Sequence, residues 1–266
     1  MFENKVVAIT GGTDGIGKAL VEEFMKRKAK VATCARNSEK LGELKNKYNG
    51  KPLLAIVADV SKEEDCKNFI EKTIEVFHDI DIIINNAGIS MRALFKDTDL
   101  STLKQLMDVN FWGTVYCTKF SLNSILKNKG TIVGVSSIAG YRGLPGRSGY
   151  SASKFAVNGW LEALRTELLE TGVNVMWVCP GYTKSNIRKA ALNKDAKPQG
   201  ESLLNETNLM SAEECALHII KAIEKRKRTL VLTLTGKETV FLNKFFPSLA
   251  DKFTRKFFFK NGELVK

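Results

Sequence analysis

Two histidines and five cysteines are spread over 266 residues, and neither set is spaced for metal or disulfide chemistry. Cys34, Cys66, Cys117, Cys179 and Cys215 form no C-x-x-C pair and His78 stands far from His218, which excludes a zinc module or a disulfide framework as the organising feature. The odd cysteine count, and a strand-like run starting near Lys5 with no leader before it, point to a reducing, cytoplasmic setting. No apolar run reaches the ~18 residues of a membrane-spanning helix. Low-complexity tracts are missing too, and a chain this long with 44% hydrophobic residues can bury a large core, which excludes a disordered or fibrous protein.

Acidic residues are outnumbered, 29 Asp and Glu against 41 Lys and Arg, for a formal charge of +12. The surplus is local: between Lys221 and Lys266 twelve basic residues face four acidic ones. Residues 236–266 also hold seven of the fifteen phenylalanines, and Leu249, Phe253 and Phe257 recur every four residues beside Lys252, Arg255 and Lys256. Over residues 244–260 this pattern suits an amphipathic helix on an anionic membrane surface, and equally a segment that covers a sheet edge or a dimer contact. No recognition helix, stacking-sheet motif or zinc module accompanies it, which argues against a nucleic-acid partner.

Short apolar runs alternate with longer segments of helical period. The runs are KVVAIT (5–10), KVATC (30–34), LLAIV (53–57), DIIIN (81–85), TIVGVS (131–136), VNVMWV (173–178) and TLVLT (229–233). Continuous apolar strands are buried on both faces, as in parallel sheets. The alternation predicts a single-domain, doubly wound α/β fold of the Rossmann type, with a mostly parallel seven-stranded sheet and helices on both faces. The catalytic domain is expected to cover 1–235 and the basic aromatic extension 236–266. Residues 181–210 are too long and too polar for an ordinary connection and read as a substrate lid.

The turn TGGTDGIG, Thr10 to Gly17, follows the first strand and feeds into a helix. Glycines at 11, 15 and 17 let the backbone approach a pyrophosphate, and the free N–H groups of the helix N-terminus favour an anion. In an alternating α/β pattern this is where a dinucleotide binds. At the end of the second strand Cys34-Ala35-Arg36 offers a guanidinium where NAD enzymes place a carboxylate. Arginine pairs in forked fashion with a 2′-phosphate, so the expected cofactor is NADP(H).

Tyr150 and Lys154, at i and i+4, share one helix face. Beside a cofactor, the ammonium can favour the phenolate and lower a phenol pKa that is ordinarily ~10. Such a tyrosine exchanges a proton with a carbonyl or alcohol oxygen. Ser137, at the end of the strand TIVGVS, can hold the same oxygen.

Together TGGTDGIG, Asp59 in ADV, NNAG at 85–88, Asn110 in DVNFWG, the serines in VSSIAG, YSASK at 150–154 and PG at 180–181 resemble the short-chain dehydrogenase/reductase family, in its order, over residues 5 to about 235. The resemblance implies a cofactor site made of Thr10, Gly11, Thr13, Asp14, Gly15, Ile16 and Gly17, with Asp59 and Val60 at the adenine and Asn86, Ala87 and Gly88 along the cofactor. It implies a catalytic tetrad of Asn110, Ser137, Tyr150 and Lys154, in which Asn110 holds a water and Lys154 also binds the nicotinamide ribose. Pro180, Gly181, Thr183 and Ser185 fall on the segment that meets the nicotinamide. The glycine turn departs from NADP-preferring relatives by carrying Asp14 in place of a basic residue, so phosphate selectivity rests on Arg36 with Asn37 or Lys40. Similar proteins are homodimers or homotetramers.

Substrate recognition is expected from the loops at the carboxyl edge of the sheet, with Met91, Phe95, Tyr141 and Leu144 as an apolar set. The resulting expectation is an enzyme moving a hydride between NADP and a carbonyl or secondary alcohol of a lipophilic small molecule. Its rivals are a membrane-associated reductase of 3-keto lipids, sphingoid-type, and a non-catalytic NADP-binding sensor or scaffold.

Overall fold

The computed structural model describes residues 2–201 and 209–265. Seven strands, β1 (Val6–Thr10), β2 (Lys30–Ala35), β3 (Leu53–Val57), β4 (Ile82–Asn85), β5 (Thr131–Val135), β6 (Asn174–Cys179) and β7 (Thr229–Val231), form one sheet in the order β3-β2-β1-β4-β5-β6-β7. Every pairing is parallel. The central strands β1, β4, β5 and β6 are buried at every residue, and the edge strands β3 and β7 are not, which is the burial that continuous apolar runs demand. The strand order reverses between β1 and β4, and a crevice opens there at the carboxyl ends.

Alternate residues of β1 face opposite cores. Val7 and Ile9 pack with Leu20, Val21 and Phe24 of α1 (Gly15–Lys26) and with Ile219, Ile220 and Ile223 of α7 (Ala212–Glu224). Val6 and Ala8 face Phe69 and Ile70 of α3 (Glu63–Phe77), Cys117 and Ile125 of α5 (Gly113–Lys127), and Val157 and Leu161 of α6 (Ser148–Glu167). Helix α2 (Ser38–Lys47) follows β2, and α4 (Leu100–Met107) runs into α5 through a π-helical turn at Asp108–Trp112.

Two further helices follow β7: α8 (Leu234–Phe245) and α9 (Pro247–Phe258), with a short hairpin pairing Phe259–Lys260 to Glu263–Leu264. Polar contacts tie this extension to the body. Arg142 donates to Asn243 Oδ1 at 2.9 Å, Asn243 Nδ2 donates to the Tyr141 carbonyl at 2.9 Å, and Arg142 also pairs with Asp251. Residues 181–201 fold back along the β4 loop, where Leu192 N donates to Ser90 O at 2.9 Å and Arg92 N to Leu192 O at 2.8 Å. Residues 202–208 of the expected lid lie outside the described residues.

Candidate active site

One cleft of about 1090 Å³ runs from the glycine turn to α9, larger than the ~300–1,000 Å³ that encloses a drug-sized ligand. Its first half is the turn between β1 and α1. Gly11 has φ +72°, a left-handed conformation, and a Cβ at Gly17 would stand 2.1 Å from the Gly11 carbonyl oxygen. The turn therefore closes only without side chains. No acidic residue occupies the first turn of α1, and the Asp14 side chain makes no cap to it. The segment after β4 is pinned to this turn: Thr10 Oγ1 accepts from the Asn86 and Ala87 amides at 3.0 and 2.9 Å, and Asn86 Nδ2 donates to Thr10 O at 2.9 Å. Thr10 is thus buried behind the cleft, while Gly11, Thr13, Asp14, Gly15, Ile16, Gly17, Asn86, Ala87 and Gly88 line it.

Arg36, Asn37, Asp59 and Val60 line the same half. Arg36 is exposed and makes no ion pair among the described residues. Asn37 is committed to α2, its side chain accepting from Lys40 N at 2.8 Å. Lys40 is committed as well, because its ammonium lies 2.8 Å from Asp14. Asn186 Nδ2 reaches Asp14 at 2.9 Å, joining the segment after β6 to the glycine turn. Burial pushes the Asp14 carboxyl up, and the bonds from Lys40 and Asn186 outweigh it and hold the group below its ordinary value. The Asp59 side chain accepts from Ser61 N and Oγ at 3.1 and 2.8 Å. The donor set and the space left by the glycines fit a dinucleotide with its phosphates at the α1 N-terminus.

Further along, Ser137, Tyr150 and Lys154 all line the cleft. Ser136 lines it too but is committed elsewhere, its hydroxyl donating to the Lys154 carbonyl at 3.3 Å. The Ser137 hydroxyl lies beside the Tyr150 phenol and favours phenolate. The expected effect of Lys154 on that phenol is not found. Burial is the largest influence on Tyr150 and raises its pKa above the ordinary value, against Ser137 and the charge of Arg147. The Lys154 ammonium instead donates to Val135 O at 2.9 Å, 5.8 Å from the Tyr150 ring centroid, and burial lowers its pKa to about 8.

Asn110 is buried in the π turn and does not line the cleft. Its Oδ1 accepts from Ile89 N at 2.8 Å, and its Nδ2 donates to Ile89 O and Ser153 Oγ, both at 2.9 Å. A Cβ on Gly88 would meet Asn110 Oδ1 at 3.0 Å and Lys154 Nζ at 3.4 Å, so Asn110 sits directly behind the cofactor-side loop. Pro180, Gly181, Thr183 and Ser185 line the cleft, although Thr183 is itself buried and bridges to Met210. Ser185 lies against Gly15.

The substrate half corrects the sequence reading most. Among Met91, Phe95, Tyr141 and Leu144, Leu144 lines the cleft and the others do not. Met91 is wholly buried with Leu106 and Leu192, Phe95 is 65% exposed outside the cleft, and the Tyr141 hydroxyl accepts from Trp177 Nε1 at 2.9 Å. The wall is built by Arg147, Tyr182 and the C-terminal helices, through Leu242, Phe253, Phe257 and Phe258. Tyr182 and Phe257 stack at 6.5 Å and 29°. Periodicity marks α9 as amphipathic and carries no sign that one side of it faces the cleft.

The family model described as short chain dehydrogenase matches residues 5–196. An 11-beta-hydroxysteroid dehydrogenase A of Arachis hypogaea is 36% identical over 93% of this chain and 73% of that protein. A dehydrogenase/reductase SDR family protein 7-like of Dictyostelium discoideum is 34% identical over 96% of this chain and 82% of its own length. In fold, a short-chain dehydrogenase of Streptomyces avermitilis superposes with TM-score 0.81 at 24% identity, covering 97% of this chain and 100% of that one. A short-chain dehydrogenase/reductase of Burkholderia phymatum in complex with NAD gives TM-score 0.82 at 21% identity, covering 93% and 95%.

Proposed function

The chain belongs to the short-chain dehydrogenase/reductase family of oxidoreductases, and from that premise we propose that it moves a hydride between NADP(H) and a carbonyl or secondary alcohol of a lipophilic small molecule. The observation that carries this reading is the placement of Ser137, Tyr150 and Lys154 in one cleft with the glycine turn. When bound, the nicotinamide supplies the hydride for a carbonyl carbon, or takes it back from a carbinol. The protein's part is proton handling and orientation. Tyr150, kept protonated by burial, holds the proton that the carbonyl oxygen needs as charge develops on it, and the Ser137 hydroxyl holds that oxygen in place. Lys154 anchors the ribose side, and Asn110 positions the Gly88–Ile89 backbone beside it. Arg36, exposed and unpaired among the described residues, favours a 2′-phosphate over a bare hydroxyl.

The relatives named as hydroxysteroid dehydrogenases support an apolar, ring-sized substrate, and the aromatic wall from α9 supplies a surface for one. The test pairs cofactor and proton donor. Wild-type protein should oxidise NADPH at least ~10-fold more efficiently than NADH with a ketone panel, and Tyr150→Phe should lose ~10³-fold in kcat while still binding NADPH. A preference for NADH sinks the cofactor assignment, and an active Tyr150→Phe sinks the proton donor.

A second reading, peripheral contact with an anionic membrane, is favoured by one observation. Phe241, Phe245 and Phe246 are 58%, 56% and 54% exposed, Phe253 is 56% exposed, and Lys244, Lys252 and Lys256 lie among them. No helix among the described residues is long and apolar enough to cross a membrane. Flotation of the protein with anionic vesicles, lost on removing residues 246–266, is the expected result; recovery in the soluble fraction overturns this reading.

A further inference from the structure

The charges lining the cleft are unevenly divided. Its only acids among the described residues are Asp14 and Asp59, both at the glycine turn, while Arg147 and Lys256 stand at the other end beside the α9 aromatics. Arg147 lies three residues before Tyr150, at the start of α6. Its guanidinium sits 6.0 Å from the Phe258 ring centroid and lies near the Tyr182 phenol, whose pKa it lowers against burial. Its Nε is buried with no hydrogen-bond partner among the described residues, and no carboxylate pairs with it there. The charge of Arg92 opposes it, and Arg188 lines the same cleft near Tyr182.

An arginine with a buried, unmet donor and no counter-ion inside an aromatic cleft is costly, because the unsatisfied donor and the lost hydration of the guanidinium both cost free energy. Cation–π contact with Phe258 offsets part of that cost and leaves the fork's donors short of acceptors. An oxyanion meets guanidinium geometry with two parallel, charge-assisted bonds. We propose that Arg147 is the specificity residue for an acid group, a carboxylate or equivalent oxyanion, carried a few bonds from the reacting carbonyl on an otherwise apolar substrate. This rests on the dehydrogenase reading for the carbonyl and deepens it: the substrate is an amphiphile, its acid on Arg147 and its apolar body along Leu144, Leu242 and Phe253.

The test uses matched probes of one chain length. Decanoate and 1-decanol are titrated calorimetrically into the full-length protein with and without NADP⁺, and 3-hydroxydecanoate is compared with its methyl ester as a substrate for oxidation. Expected is a ~10–100-fold preference for the acid in both binding and kcat/KM, the range of a charge-assisted pair. Arg147→Met should bring both ratios to about 1 and Arg147→Lys should restore part of them. Equal affinity of wild type for acid and alcohol overturns the proposal, as does a ratio that survives in Arg147→Met while both probes weaken alike, which would make Arg147 a prop for Tyr182 and Phe258. Should the methionine variant fail to fold, the lysine variant and the wild-type ratio decide. Failure of the dehydrogenase reading is separately visible: decanoate is then preferred with no NADP(H) turnover of any probe.

Discussion

The two halves of the cleft were assembled by different rules. At the glycine turn, the residues that the sequence singled out come together in one cleft, with Gly11 to Gly17 on one short connection and Asn86 to Gly88 after the neighbouring strand. At the other half, Met91, Phe95 and Tyr141 are elsewhere, and the wall comes from Arg147, Tyr182 and two helices about a hundred residues away in sequence. A turn that must bring backbone close to a phosphate constrains residue type position by position. A wall that must be apolar constrains hardly any, and many distant segments can supply it.

The sharpest contrast lies within the first half. Gly17→Ala should weaken NADPH binding by at least ~10²-fold and lower the melting temperature, because the added carbon stands 2.1 Å from Gly11 O and 2.4 Å from Asn86 Nδ2. Gly42→Ala, inside α2 with nothing within 4 Å, should instead stabilise by about 0.5–1 kcal/mol. Equal effects in calorimetry and cofactor titration would break the claim that geometry, not glycine content, makes the site.

Lys154 stands where the halves meet. Its folded pKa of about 8, against an ordinary 10.5, means that below pH 8 the fold carries the full cost of a buried ammonium, about 3 kcal/mol, which disappears as pH rises from 8 to 10.5. The stability of Lys154→Met relative to wild type, from denaturant unfolding, should therefore be greatest at pH 7 and shrink by roughly that amount towards pH 10.5. A pH-independent difference would show that Lys154 is not desolvated. The smallest effect belongs to the wall: Phe257→Ala should raise KM for an apolar ketone about 5-fold, by removing one partly exposed ring, and leave the Kd for NADPH alone. A change in NADPH affinity would join two halves that the structure separates.

The legible parts of the site share a cause. Tyr150 and Lys154 are readable because one helical turn separates them, and Ser137 because it follows the strand TIVGV on the same side of the sheet. Arg147, three residues before Tyr150, is not legible in the same way, since a single arginine near a helix start carries no period or spacing. The raised Tyr150 pKa has a related cause: spacing reveals a neighbouring cation and not the burial that outweighs it.

What the sequence determined by itself is therefore the order of strands and helices, the parallel sheet implied by continuous apolar runs, and the backbone turn that only glycines close, all set by neighbours within a few positions. The tertiary structure decided which side of α9 faces the cleft, that Lys40 is held by Asp14 and Arg147 by no acid among the described residues, and how far burial moves Tyr150 and Lys154. Those depend on groups far apart along the chain and on exclusion of water, and neither leaves a repeating mark in a linear string.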